Sequence, residues 1–380
     1  MRRLHLGLEV SIPRDTFSRL SHISAGGVLF PGLEWLRWYI EETDIPSSCF
    51  HLFLPPKLKT VVLYTRHIAS DIPRDHVVAL VHVISFLTSS LVDLTFKCGQ
   101  RRAAVLEDTI SSFVLRHGSS LRRFDSDLPL SEAAIHCLVQ LPNLRSWVGT
   151  HGPPRTLPLV AFPSLEELYL EPAALPWLHL IVSHEEDVIR KGFVSATPRT
   201  SIRETLKFLE CPRVTIIDST FLSSVAHFRN LVGLRVEGDC SDAEGCVSRL
   251  TDDDVKNLAA ALPRLKTLQL GRPCRSNSCN TTVASLMSIS VNCIDLTVLE
   301  VHFNFLDIVR DLRLLLDRSS ERDKPKCKLS YLVAGYVSLD VQEVDVETVA
   351  MGLRAIFPCL ARCPGWGKWS SVQAALKPRI

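Results

Sequence analysis

Three apolar side chains spaced L-x-x-L-x-L recur along almost all of this 380-residue chain, and that recurrence leaves few folds open. Clear copies are Leu33-Leu36-Trp38, Leu58-Val61-Leu63, Leu91-Leu94-Phe96, Leu165-Leu168-Leu170, Leu231-Leu234-Val236, Leu265-Leu268-Leu270 and Leu296-Leu299-Val301. Looser copies are Leu121-Phe124-Ser126, Leu144-Trp147-Gly149 and Leu329-Leu332-Ala334, and the opening Met1-Leu4-Leu6 fits the same template. In an extended chain the last two apolar residues of a copy point to the same side. The first closes the preceding turn over the same core. One such strand cannot bury its apolar row alone. Successive copies stacked side by side bury it together, in a parallel sheet with one shared core.

The segments between the strands read as helices. Leu130-Ser131-Glu132-Ala133-Ala134-Ile135, with Leu138, Leu141-Pro142, Leu144 and Trp147, makes one unit; Leu250-Thr251-Asp252-Asp253-Asp254-Val255, with Leu258, Leu262-Pro263, Leu265 and Leu268, repeats it. Ser131 and Thr251 are placed as N-caps, Asp252 to Asp254 favour the positive helix end, and Pro142 and Pro263 stop each helix before the next strand. Strand spacing varies from 21 residues (Leu144 to Leu165) to 34 (Leu231 to Leu265). The expected fold is therefore an α/β leucine-rich-repeat solenoid, a horseshoe with a parallel sheet on the concave face and helices on the convex face. The array is expected over residues 1–342, with an irregular, charged insertion at about 182–203, and residues 343–380 as a C-terminal helical cap. Between Leu170 and Leu231 only Val214 to Ile217, after Cys211-Pro212, suggests a strand. Residues 318–328 read as a second charged loop.

Composition narrows the partners. With 46% hydrophobic residues the chain can bury a large core, and 43 basic against 41 acidic side chains leave +2, too little to draw in nucleic acid or an anionic membrane by bulk charge. The most apolar window, Val77 to Leu94, is interrupted by His82, Thr88, Ser89, Ser90 and Asp93. Twelve cysteines lie scattered without a C-x-x-C pair, and the start lacks a secretory h-region. Reduced thiols in a cytoplasmic protein are expected, with the nucleus as the alternative.

Some residues carry a family resemblance. Cys293-Ile294-Asp295-Leu296, leading into Leu299 and Val301, resembles the C-x-x-L-x-x-L-x-L start of the cysteine-containing repeat subtype; Cys211-Pro212-Arg213-Val214 is a looser copy, and Leu250-Thr251-Asp252 with Val255 and Leu258 is similar to its I-T-D-x-x-L-x-x-L segment. Together with Phe162-Pro163-Ser164-Leu165-Glu166-Glu167-Leu168, the run from Leu250 to Asn304 resembles the fungal F-box and leucine-rich-repeat proteins. That resemblance implies a substrate-recognition module of a cullin–RING ubiquitin ligase. The F-box itself has no match, because Met1 already sits at the first strand, so an adaptor contact is expected only if an F-box lies upstream. The alternative is a stand-alone repeat scaffold with no ligase link.

No catalytic constellation stands out. There is no phosphate-binding glycine loop, no G-x-S-x-G elbow and no H-E-x-x-H. His184-Glu185-Glu186-Asp187 reads as a solvated charged stretch, and neither Cys274/Cys279 nor Cys359/Cys363 has a second pair at zinc spacing. No enzyme activity, metal or cofactor is expected. Binding is expected on the outward positions between the core leucines, where a protein partner would meet Trp35, Arg37, Tyr39, Tyr64, Arg123, Tyr169, Arg235 and His302. Aromatic and Arg side chains are the usual interface anchors, which singles out Trp35, Arg37, Tyr39 and Tyr64. If they anchor a partner on this face, Trp35→Ala with Tyr39→Ala should leave thermal stability largely intact and weaken partner capture.

Overall fold

A computed structural model describes residues 2–6, 14–24, 27–39, 47–64, 74–88, 90–97, 103–150, 152–154, 157–158, 161–190, 202–214, 216–238, 249–271, 280–301, 308–318, 327–333, 345–364 and 369–376. Two compact units divide the chain: residues 1–168 with 183–202, and residues 169–182 with 203–380. The first unit holds strands β1 (Arg3–Leu6), β2 (Trp35–Tyr39), β3 (Thr60–Tyr64), β4 (Asp93–Lys97), β5 (Arg123–Ser126) and β6 (Ser146–Gly149). The division falls within β7 (Glu167–Leu170). The second unit holds β8 (Phe208–Val214), β9 (Gly233–Gly238), β10 (Thr267–Leu270), β11 (Val298–Val301) and β12 (Tyr331–Val333). Strand order is sequence order, and the pairings within each unit are parallel. The fold is an α/β leucine-rich-repeat solenoid.

The repeat pattern and the backbone hydrogen bonds coincide. The first leucine of a copy donates its N–H three residues back, closing a tight turn: Leu33 to Phe30, Leu58 to Pro55, Leu121 to Gly118, Leu231 to Phe228, Leu296 to Cys293. The next carbonyl then accepts two amides from the following repeat. In the first unit Glu34 O takes Lys59 N and Thr60 N, Lys59 O takes Val92 N and Asp93 N, and Val92 O takes Arg122 N and Arg123 N. In the second, Lys207 O takes Val232 N and Gly233 N, and Val232 O takes Lys266 N and Thr267 N. In the clear copies all three apolar residues are buried, as in Leu58-Val61-Leu63 and Leu265-Leu268-Leu270, while the residues between them face outward.

Helices between the strands bury one apolar face each. Ser131 caps the helix Glu132–Val139 by accepting from Ala134 N. Thr251 and Asp254 form a reciprocal capping box on the helix Asp252–Ala261. Asp252 has a different task. Its carboxylate accepts from Thr282 N and Oγ1 (both 2.7 Å) and from Ser285 Oγ (2.5 Å), tying one repeat to the N-terminus of the next helix, Val283–Asn292. The motif cysteine works likewise: buried Cys293 points its thiol at Ala259 O and Leu262 O of the previous repeat, and Cys327 Sγ donates to Cys293 O at 3.3 Å.

One strand lies earlier than its sequence reading. β8 uses the copy Leu206-Leu209-Cys211, all buried, instead of starting at Val214. Cys211 therefore fills the last core position of a strand and does not open a cysteine-type repeat. A bulge separates Cys211 from Val214, with Arg213 at φ 55° between them. Residues 176–190 are helical and 202–205 form a short helix. Beyond β12 come the helix Val346–Ile356 and a further turn of the ladder, in which Ala361 N and Arg362 N both bond Ser330 O; the helix Trp369–Ala375 follows.

Two predictions follow from the packing. Leu268→Ala empties a fully buried site and should cost about 2–5 kcal/mol in denaturant unfolding, whereas Thr267→Ala, one residue away on the outward side, should cost about 0.5 kcal/mol or less. The second concerns His117, whose Nε2 lies 2.9 Å from Ser85 Oγ and whose ring packs on Phe113 at 5.1 Å. Burial, then the charge of Arg116, lowers its pKa below the usual value of about 6.5. The folded protein thus binds fewer protons here than the unfolded chain, so this stability is complete above pH ~6.5 and declines as pH falls through the folded-state value. Unfolding midpoints at neutral and mildly acid pH should separate more for the natural chain than for His117→Gln.

Candidate protein-binding face of the sheet

Strand register sorts the outward side chains of the first unit into rows. One row runs Arg3, Trp35, Thr60, Asp93, Arg123, Ser146; the next runs His5, Arg37, Val62, Thr95, Asp125, Val148; a short third row holds Tyr39, Tyr64 and Lys97. Parallel pairing puts row neighbours about 4.8 Å apart, close enough for side chains to touch across repeats.

Arg37, Tyr39 and Tyr64 come together. The two tyrosine rings stack with centroids 5.1 Å apart and planes 15° from parallel. The Arg37 guanidinium lies 4.9 Å from the Tyr64 centroid and 5.4 Å from that of Tyr39, and its Nη2 donates to Tyr64 Oη at 3.1 Å. That bond is the main reason its pKa rises above the ordinary arginine value, so it is a fixed cation. Trp35 does not join them. It packs on His5, ring centroids 4.7 Å apart at 55°. The four residues singled out from sequence thus form two clusters on one face, and one of them is not an open surface group: Tyr39 is only 7% exposed. Its neighbour in the next repeat covers it, which spacing within one repeat could not reveal.

In the second unit the rows are Phe208, Gly233, Thr267, Val298, Tyr331 and Glu210, Arg235, Gln269, Glu300, Val333. Arg235 is already engaged by its own sheet. Its Nε donates to Gln269 Oε1 at 2.6 Å, and Glu210 and Glu237 lie 3.6 and 3.8 Å away. Sequence reading missed Phe208, an outward aromatic that is 47% exposed. Its ring lies against Gly233, where an added Cβ would come within 2.7 Å of it. A glycine inside a strand, opposite an aromatic in register, was the available signal. Arg123 is exposed on β5, Tyr169 is half-buried on β7, and His302 lies outside the described residues.

Among the described residues no three His, Cys, Asp or Glu side chains are grouped to hold a metal. Burial pushes the thiols of Cys293 and Cys363 up to about 12 and raises that of Cys211, so they stay protonated at neutral pH and act in packing. No helix of the described residues is long and apolar enough to cross a membrane.

The two clusters separate by mutation. Tyr39→Ala removes a buried, stacked ring and should cost about 3 kcal/mol, whereas Trp35→Ala, on a half-buried residue, should cost about 1 kcal/mol. The double variant is then expected to be destabilised, contrary to the expectation from sequence, and chemical denaturation of all three variants measures it.

No protein-family profile matches the chain, and no curated protein matches it either. Among solved structures it is similar to an internalin, InlF, from Listeria monocytogenes, at 13% identity over 99% of this chain and 85% of that one, with a TM-score of 0.39. It is similar to the leucine-rich-repeat protein LegL7 from Legionella pneumophila, at 14% identity over 88% and 95% of the two chains, with a TM-score of 0.43. A chain of the Rad7–Elc1 complex from yeast gives 16% identity over 93% and 82%, with a TM-score of 0.39. The ladder of parallel strands and the buried L-x-x-L-x-L rows of this chain itself carry its assignment to the leucine-rich-repeat fold.

Proposed function

We propose that the chain is a protein-interaction module whose partner docks on the outward face of the first unit's sheet, around Trp35, Arg37 and Tyr64. The observation that carries this reading is the grouping of an arginine and four aromatic side chains, His5, Trp35, Tyr39 and Tyr64, on adjacent strands of one face. Rings and guanidinium brace one another there, so little side-chain entropy remains to be lost on binding. In this reading Tyr39 supports the site from beneath, and Trp35, Arg37 and Tyr64 meet the partner.

The finer reading is that this module is the substrate-recognition region of an F-box-type ubiquitin-ligase receptor. Its support is the motif resemblance carried by Cys293-Ile294-Asp295-Leu296 and Leu250-Thr251-Asp252. The partner would then be a ligase substrate, and an F-box encoded upstream would supply the adaptor contact. A stand-alone scaffold is the second reading, and it needs no adaptor.

Proximity labelling with the natural chain and with Trp35→Ala/Tyr64→Ala tests both. A partner captured by the natural chain should be lost from the variant while the variant still unfolds in one cooperative transition, about 1–3 kcal/mol less stable. Retention of every partner by the variant refutes docking on this face. Transcript mapping upstream of Met1 decides between the finer readings: an in-frame F-box favours the ligase receptor, and a nearby in-frame stop favours the scaffold.

A further inference from the structure

We infer that the partner segment docking on the first unit's sheet is acidic, an extended polypeptide stretch with carboxylate side chains; this rests on the proposed docking face. Summed over the sequence, charges on this face look mixed, but the structure shows which of them are already spent. Lys97 Nζ sits 2.5 Å from Asp125 Oδ1 and Lys59 pairs with Glu34 at 3.7 Å; Asp93 accepts a hydrogen bond from Thr60 Oγ1 at 3.0 Å, which leaves its negative charge in place. Arg3, Arg37 and Arg123 remain. Among the described residues none of the three has a carboxylate within 4 Å, and Arg37 has only tyrosine partners. The face therefore presents three guanidinium groups outside any ion pair against the single carboxylate of Asp93, an excess of positive charge around an aromatic patch, and electrostatic complementarity selects a partner of opposite sign.

Register sets the spacing. Arg3 and Arg123 share a row four strands apart, about 19 Å at 4.8 Å per strand, and Arg37 lies one strand from Arg3 in the next row. An extended segment advancing about 3.3 Å per residue covers this in about six residues, with carboxylates about four positions apart over Arg37 and Arg123. A phosphate polymer fits less well. Tyr39 is buried and stacked on Tyr64, so the ring pair offers no open slot to a base, and the chain carries a net charge of only +2.

The test is selection of displayed random peptides of about ten residues on the full chain, followed by fluorescence-polarisation titration of the enriched peptides. Natural chain, Arg37→Gln, Arg123→Gln and Trp35→Ala are compared, with short single-stranded DNA as competitor. Peptides bearing Asp or Glu about four positions apart are expected to dominate. They should bind about tenfold or more weakly to Arg37→Gln and lose affinity as salt rises. Arg123→Gln alters an exposed side chain and serves if Arg37→Gln disturbs the tyrosine stack. Neutral or basic peptides that still depend on Trp35 would overturn the acidic partner while leaving the docking face standing. Peptides indifferent to Trp35→Ala, or a library without binders, would remove the docking face itself. Single-stranded DNA binding as tightly as the peptides would overturn the inference in favour of a phosphate ligand.

Discussion

Within each unit a repeat is joined to the next by one backbone carbonyl that accepts two amides. Glu34, Lys59 and Val92 repeat the arrangement in the first unit, and Lys207, Val232, Lys266 and Thr297 repeat it in the second. Because both donors are consecutive residues, the shared acceptor fixes where the following strand begins, and with it which side chains face the core. A one-residue slip would turn the leucines outward and bury the polar row. The helices can differ in length because the register does not pass through them.

Polar side chains reinforce this coupling. Asp252 holds Thr282 and Ser285 of the next repeat, and the thiols of Cys293 and Cys327 reach back to carbonyls one repeat earlier. The acid of the Thr-Asp pair and the cysteine of the repeat are thus explained as links between neighbours, each satisfying polar groups that would otherwise be buried without partners. On the outward face the same nearest-neighbour logic produces the proposed docking surface: Tyr39 comes from one repeat and Tyr64 from the next, so neither repeat alone carries it.

Local periodicity made the core readable from sequence. Even the degenerate Leu121-Phe124-Ser126 and Leu144-Trp147-Gly149 form strands, because two of their three positions still fill the core. Leu206-Leu209-Cys211 escaped notice since cysteine occupies the third place and the outward Phe208 breaks the alternation of apolar and polar residues. The outward site was readable as a set of positions but not as an arrangement. Trp35 and Arg37 are two residues apart on one strand, yet Trp35 turns to His5 and Arg37 to the tyrosines, choices made by side chains about thirty residues away. Arg235 resembled a free anchor until Gln269 was placed beside it.

Ala361 and Arg362, which take the ladder one step past β12, bear on how the molecule keeps to itself. A parallel sheet ending at Tyr331–Val333 would present a row of open amides and carbonyls, a template on which another chain could add a strand. Here Arg362 bridges Tyr331 and its carbonyl accepts Leu332 N, so that edge is occupied from within. Cys363, buried, ends the segment, and Pro364 follows with no amide hydrogen to offer a newcomer. At this edge the chain supplies its own protection against aggregation.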